Sequence, residues 1–200
     1  MEQNHIELIG CLASAPQYSH SNHGRHFYSF FLEVSRLSGT VDRLPILAPF
    51  ELLDETPIDE GDCLRITGQL RSFNNRFGGG RKLVISLLAE EMEICDEPHD
   101  NQVELQGVVC KEPIYRRTPL GREICDLMLA VNRPYHRADY LPCILWGRCA
   151  QDGASYGVGT AISVSGRFQS RQYIKIIDGA PEERTAYEIS AITAHRSEEE

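Results

Sequence analysis

No stretch of this chain approaches the roughly 18 consecutive apolar residues that a membrane-spanning helix needs. The first residues, Met1-Glu2-Gln3-Asn4, lack a basic segment followed by an apolar run, so no signal peptide is visible and a cytoplasmic location is expected. Seven cysteines, an odd number at scattered spacings, match neither a disulfide framework nor a zinc pair. Cys11, Cys63, Cys125 and Cys143 sit inside apolar-alternating runs, where a reduced thiol acts as a small hydrophobe. No Ser/His/Asp or Cys/His arrangement suggests nucleophilic catalysis, and no paired carboxylates share one face. An enzyme is not expected, nor is a cofactor. The glycines at 78–80 are not followed by Gly-Lys-Ser/Thr leading into a helix, which excludes a phosphate-cradling P-loop. His20, His23 and His26 fall in a predicted loop with no adjacent Cys or carboxylate, and read as a solvated loop and not a metal site.

Excess positive charge is also missing. A net charge of −9 argues against a polyanionic partner, because phosphate binding draws most of its free energy from Lys and Arg. The average conceals an asymmetry. Residues 1–98 hold 8 basic and 15 acidic side chains, a balance of −7, whereas residues 101–177 hold 10 and 6, a balance of +4. The acidity belongs to the first half and to the terminal Ser197-Glu198-Glu199-Glu200, and leaves nucleic acid open as a partner of the second half.

What the chain does contain is an internal repeat. Asn4-His5-Ile6-Glu7-Leu8-Ile9-Gly10 returns as Asn101-Gln102-Val103-Glu104-Leu105-Gln106-Gly107, shifted by 97. The same shift carries Pro16 to Pro113, Tyr18 to Tyr115, Gly24 to Gly121, Val34 to Val131, Arg36 to Arg133 and Pro45 to Pro142. One residue later, GDCLRITGQLRS from Gly61 matches GTAISVSGRFQS from Gly159. An ordered series of this length is a duplication. It predicts one unit over residues 1–95, a polar linker at 96–100, a second unit over 101–196 and an acidic tail at 197–200.

Each unit reads as five strands. In the second, Val103–Val109 alternates, and a turn-rich segment follows around Pro113 and Gly121. Cys125, Leu127, Leu129 and Val131 then point one way and Asp126, Met128, Ala130 and Asn132 the other, the period of a half-buried strand. A third strand is predicted from about Tyr140 to Leu145, a short helix over Arg148–Ser155, a fourth strand through Ile162, Val164 and Phe168, and a fifth over Tyr187–Thr193. Pro45 and Pro142 fit third strands with an unpaired edge. This order predicts an all-β chain of two tandem OB-folds, each a five-stranded Greek-key barrel with a short helix between strands three and four. A β-sandwich is the alternative.

The third strand of unit two carries the functional signal. With Leu141, Cys143 and Leu145 facing the core, alternation sets Tyr140, Pro142, Ile144 and Trp146 on the outer face. Tyr135 precedes this strand and Tyr173 follows the fourth. Arg116, Arg117, Arg122, Arg133, Arg137, Arg148, Arg167, Arg171 and Lys175 are spread through the same segments. Aromatic faces among cations hold single strands: bases stack on the rings while the cations follow the phosphates. An aromatic face of this kind also suits a subunit interface, and composition alone does not separate the two.

LAVNRPYHRADYLPCILWGRCAQ from Leu129, GTAISVSGRFQSRQY from Gly159 and NQVELQGVVCKEPIYRRTPLG from Asn101 resemble the bacterial single-stranded DNA-binding protein family across nearly all of unit two. The resemblance implies base stacking in the loop after the second strand, at both ends of the third and after the fourth. Those positions are Tyr135, Tyr140, Trp146 and Tyr173, all aromatic. It further implies single-stranded DNA as partner, with RNA not excluded, in replication, recombination or repair. Four OB-folds assemble in the family, so a two-fold chain is expected to form a homodimer. Relatives often carry a Gly/Pro/Gln-rich tail with an acidic, apolar tip; His195–Glu200 does not resemble one, and tail-borne recruitment is not expected.

Unit one departs from the pattern. Aligning its third strand sets Leu44 opposite Tyr140 and Pro49 opposite Trp146, which removes both stacking positions. The loop after its fourth strand keeps Phe73 and Phe77 with Arg71, Arg76, Arg81 and Lys82, a basic arm able to close over a strand. Phe27 and Phe31 are expected to pack between barrels. The rival function is an OB-fold protein–protein module of a replication or mobile-element complex, which the −7 of unit one favours for that half.

Overall fold

A computed structural model of the chain describes residues 3–75, 82–177 and 179–197. Unit one runs β1 (Asn4–Leu12), β2 (Gln17–Asn22), β3 (Arg25–Ser35), β4 (Val41–Pro49), α1 (Phe50–Glu55), β5 (Cys63–Asn75) and β6 (Lys82–Ile94). Unit two repeats the order with β7 (Asp100–Val109), β8 (Ile114–Arg117), β9 (Glu123–Arg133), β10 (Arg137–Trp146), α2 (Arg148–Gly153), β11 (Ala161–Ile177) and β12 (Ala180–Arg196).

Each unit closes into a barrel. In unit one the strands pair in the order β1-β3-β4-β6-β5 and return to β1, with β4 and β6 parallel at Ile46↔Leu87. Unit two closes as β7-β9-β10-β12-β11, with β10 and β12 parallel at Cys143↔Ile189. These are two OB-folds, and the period of two in the sequence fills them. Cys125, Leu127, Leu129 and Val131 of β9 are buried, as are Leu141, Cys143 and Leu145 of β10, while Asn132 is exposed. Pro142 stands one residue before β10 joins β12, on an edge that needs no N–H.

The five expected strands of each unit are joined by a sixth. The turn-rich segments form β2 and β8, which pair only with β3 and β9 as hairpins. Every residue of β2 and β8 is exposed, so no apolar alternation announces them. β12 also exceeds its expected span, because β11 and β12 remain paired out to Ile177↔Ala180, well beyond the core. Gly68 and Gly166 mark repeat-equivalent bulges in β5 and β11. A Cβ on Gly68 would collide with the Leu88 carbonyl oxygen, and one on Gly166 with that of Ser190.

The chain passes between barrels through residues 95–99, and Asp100 already pairs with Ile9. The units join edge to edge where β1 and β7 pair antiparallel from Asn4↔Leu105 to Ile9↔Asp100. Two buried asparagines extend the ladders beside this seam. The Asn4 side chain donates to Leu70 O at 2.8 Å and accepts from Leu70 N at 2.9 Å; Asn101 does the same with Phe168 at 2.7 and 2.9 Å. Among the described residues no helix is long and apolar enough to cross a membrane.

Candidate nucleic-acid interface

β10 presents its alternate side chains outward from a fully buried inner row. Tyr140, the fourth residue of β10, is 45% exposed and Trp146, its last, is 40% exposed, both on the strand's outer face. Six steps of extended chain place them roughly 20 Å apart, a span of several nucleotides. The Trp146 Nε1–H donates to Ser190 Oγ at 3.0 Å, which fixes the indole against β12. Ile144, between them, is buried rather than outward.

Tyr135 lies in the β9–β10 turn and is 92% exposed. It and His136 hold φ of +64° and +54°, a left-handed pair that non-glycine residues adopt at a cost of order 1–3 kcal/mol each. The turn throws the Tyr135 ring into solvent, where Tyr135, Tyr140, Arg133 and Arg137 line one open notch. Tyr173 of β11 is 37% exposed, with the Arg171 guanidinium 5.8 Å from its ring centre. A second groove joins Tyr173, Lys175, Pro142 and Arg184 to Leu83 and Ile85 of unit one.

The cations divide by partner. Arg122, in the Thr118–Arg122 turn, and Arg137, Arg148 and Lys175 are exposed and carry no ion pair among the described residues. Arg133 reaches the buried Asp139 at 3.3 Å, and Arg171 reaches Glu188 at 3.3 Å. Arg116 binds Asp126 at 2.7 Å and Arg117 binds Glu123 at 3.0 Å. The Glu123 carboxyl is held below the ordinary carboxylate range by hydrogen bonds from Tyr115, Gln151 and Arg117. Arg167 is half-buried at the junction of the units, beside Arg36, Asp42 and Asp100, and away from the rings.

Unit one has no matching face. Position for position, Arg43 and not Leu44 takes the place of Tyr140: Leu44 is fully buried like Leu141, while Arg43 is exposed with its guanidinium 4.8 Å over the Phe31 ring. Pro49, opposite Trp146, is buried. Phe27 stacks on His20 at 5.1 Å within its own β2–β3 hairpin and not between barrels. Phe73 is exposed on β5, whereas Arg76, Phe77, Arg81 and the side chain of Lys82 lie outside the described residues. Among the described residues no three His, Cys, Asp or Glu side chains converge as a metal site.

Two buried carboxylates, Asp42 and Asp139, lie outside the aromatic and basic pattern. Asp42 accepts from Arg36 Nε at 2.7 Å and from Ser170 N at 2.8 Å, across the unit boundary. Asp139 accepts from Ser72 N at 2.7 Å and Arg71 Nη1 at 3.1 Å, in the reverse direction. Both Asp42/Asp139 and Ser72/Ser170 are repeat-equivalent, and that match was the available signal.

A model described as the single-strand binding protein family matches residues 100–196. Single-stranded DNA-binding protein B of Bacillus subtilis is 40% identical over 80 residues, covering 36% of this chain and 71% of that protein. The single-stranded DNA-binding protein of Oceanobacillus iheyensis is 35% identical over 80 residues, covering 36% and 50%. Beyond the Bacillus protein, the chain spans about half the length of the curated relatives it matches. The wild-type single-stranded DNA binding protein from Thermus aquaticus superposes with a TM-score of 0.79 at 21% identity, over 98% of this chain and 94% of that one. That likeness establishes the fold across both units, while the family match falls on unit two.

Proposed function

We propose, from the premise that this chain belongs to the single-strand binding protein family, that it binds single-stranded DNA with little sequence preference through unit two. Bases stack on Tyr135, Tyr140, Trp146 and Tyr173 while Arg122, Arg137, Arg148 and Lys175 follow the phosphates. The observation that carries this reading is β10 itself, where the rings of Tyr140 and Trp146 stand exposed on the outer face above a buried inner row. Solvent-exposed rings beside unpaired cations suit a ligand that is apolar on its bases and anionic on its backbone. Arg133, Arg167 and Arg171 support the face from ion pairs or from the unit junction.

Such a protein is a binding protein and not an enzyme, and serves DNA exposed during replication, recombination or repair in the cytoplasm. Two copies supply four OB-folds, and we assign the working form as a homodimer. Unit one contributes the fold and the exposed Phe73, with Arg76, Phe77, Arg81 and Lys82 as its own route to a strand. A ring stack does not distinguish sugars, so RNA is a competitor to be measured alongside.

The test is a titration with oligo-dT followed by the fluorescence of Trp146, the single tryptophan. Quenching is expected, with an affinity that falls steeply as salt rises. Absence of both quenching and a gel shift at low salt would instead make this face a protein interface.

A further inference from the structure

We infer that unit one positions the stacking ring of Tyr140 in unit two, with Ser72 as the positioning residue. The inference rests on the single-strand-binding reading above. β10 pairs with β9 along its whole length, from Arg137↔Arg133 to Trp146↔Ile124, but with β12 only at Cys143 and Ile144. Its second edge therefore has no strand partner around Asp139 and Tyr140. A backbone N–H left there would be free to fray, and with it the segment that carries the ring.

β5 of unit one fills that edge. The Tyr140 N–H donates to Ser72 Oγ at 2.7 Å, and the Ser72 N–H donates to Asp139 Oδ1, also at 2.7 Å. Arg71 Nη1 reaches Asp139 Oδ2 at 3.1 Å, so the fully buried Asp139 carboxylate is held by two consecutive residues of the other unit. The two bonds of Ser72 clamp Asp139 and Tyr140 as a strand neighbour would. The phenol is left half-exposed while its own backbone is fixed.

The repeat supplies an internal comparison. Across the pseudo-symmetric boundary, the Ser170 N–H donates to Asp42 Oδ1 at 2.8 Å, but Ser170 Oγ also donates to that same oxygen at 3.0 Å. Its hydroxyl is spent on the carboxylate and does not take the N–H of Arg43, the counterpart of Tyr140. The two latches share a carboxylate and a serine, and differ in whether the hydroxyl grips the residue on the outer face. Only the copy whose outer-face residue is itself aromatic does so.

The experiment measures binding of labelled oligo-dT by anisotropy to the full chain and to Ser72→Ala, Ser72→Thr, Ser72→Cys, Ser170→Ala, Tyr140→Ala and the Ser72→Ala/Tyr140→Ala double variant. Ser72→Ala is expected to weaken binding about fivefold, the worth of one hydrogen bond. Ser72→Cys, with a weak sulfur acceptor of similar size, should follow it, and Ser72→Thr should restore affinity. Ser170→Ala should stay within about twofold of the unchanged protein, because its N–H still reaches Asp42. In the Tyr140→Ala background, loss of the Ser72 hydroxyl should add nothing. An unchanged affinity for both Ser72→Ala and Ser72→Cys overturns the inference, and so does an equal loss in Ser170→Ala or a full further loss in the double variant. Failure of the unchanged protein to bind is a different result, and defeats the functional reading on which the inference stands.

Discussion

Ile6 and Val103, the same position of the two repeats, face each other at the centre of the β1–β7 pairing. The pairs on either side exchange under the repeat: Asn4↔Leu105 is answered by Leu8↔Asn101. A pseudo-two-fold axis thus passes between Ile6 and Val103, and the seam has the self-complementary form of an isologous contact made within one chain. The asparagine ladders and the crossed Asp–Ser latches follow from this symmetry.

Stability should depend on those asparagines. Replacing Asn101 by Ala leaves the N–H and C=O of Phe168 unpaired in a buried setting. A loss of about 2 kcal/mol is expected, the scale of stranded buried polar groups. Urea unfolding measures it, and Asn4→Ala should cost a similar amount. A midpoint that does not move in either variant would show that water satisfies Leu70 and Phe168 as well.

Removal of single rings should weaken binding without unfolding the chain. Tyr135→Ala, Tyr140→Ala, Trp146→Ala and Tyr173→Ala each remove one proposed stacking platform, at about 1–3 kcal/mol per base lost. The side chains are partly or wholly exposed, so far-ultraviolet circular dichroism should be unchanged. Anisotropy of a labelled oligo-dT reads the affinity. Dimer dissociation with binding intact would reassign the face to subunit contact.

Salt dependence should separate free cations from paired ones. Lys175→Ala or Arg137→Ala should make the plot of log affinity against log salt shallower by about 0.7, the value for one phosphate on a single strand. Arg116→Ala should change it less, because Asp126 already neutralises that guanidinium at 2.7 Å. Slopes in the Lys175 and Arg137 variants that match the unchanged protein would remove both residues from the phosphate path.

Stability should fall on the alkaline side. Burial pushes the Cys143 thiol up to about 12, and raises Cys125, Tyr156 and Tyr187 in the same direction. The folded state therefore keeps protons that the unfolded chain releases. This contribution is complete below the ordinary cysteine value and is lost as pH rises from there through about 12. Cys143→Val, close in volume, should flatten part of the alkaline limb in urea midpoints measured at stepped pH. Parallel limbs for the two proteins would rule the thiol out.

The inner rows of β9 and β10 were legible because a half-buried strand writes burial into every second residue. So were both barrels and the exposed rings of Tyr140 and Trp146. The hairpin strands β2 and β8 were not legible, since strands without a buried face leave no period. A one-residue slip in aligning the third strands sets Leu44 against Tyr140, and a single step moves a side chain to the opposite face. Burial of Leu44 and exposure of Arg43 resolve it.

Two like barrels, the side chains that fill them and the excess of basic over acidic residues in 101–177 are legible in the residues alone. Those are local properties, carried by period, repeat and composition. Tertiary contact sets which cations are free, because Asp126, Asp139 and Glu188 reach Arg116, Arg133 and Arg171 through strand register. It also decided that Ser72 of one barrel grips Tyr140 of the other, 68 positions away, since that contact exists only once β1 and β7 have paired.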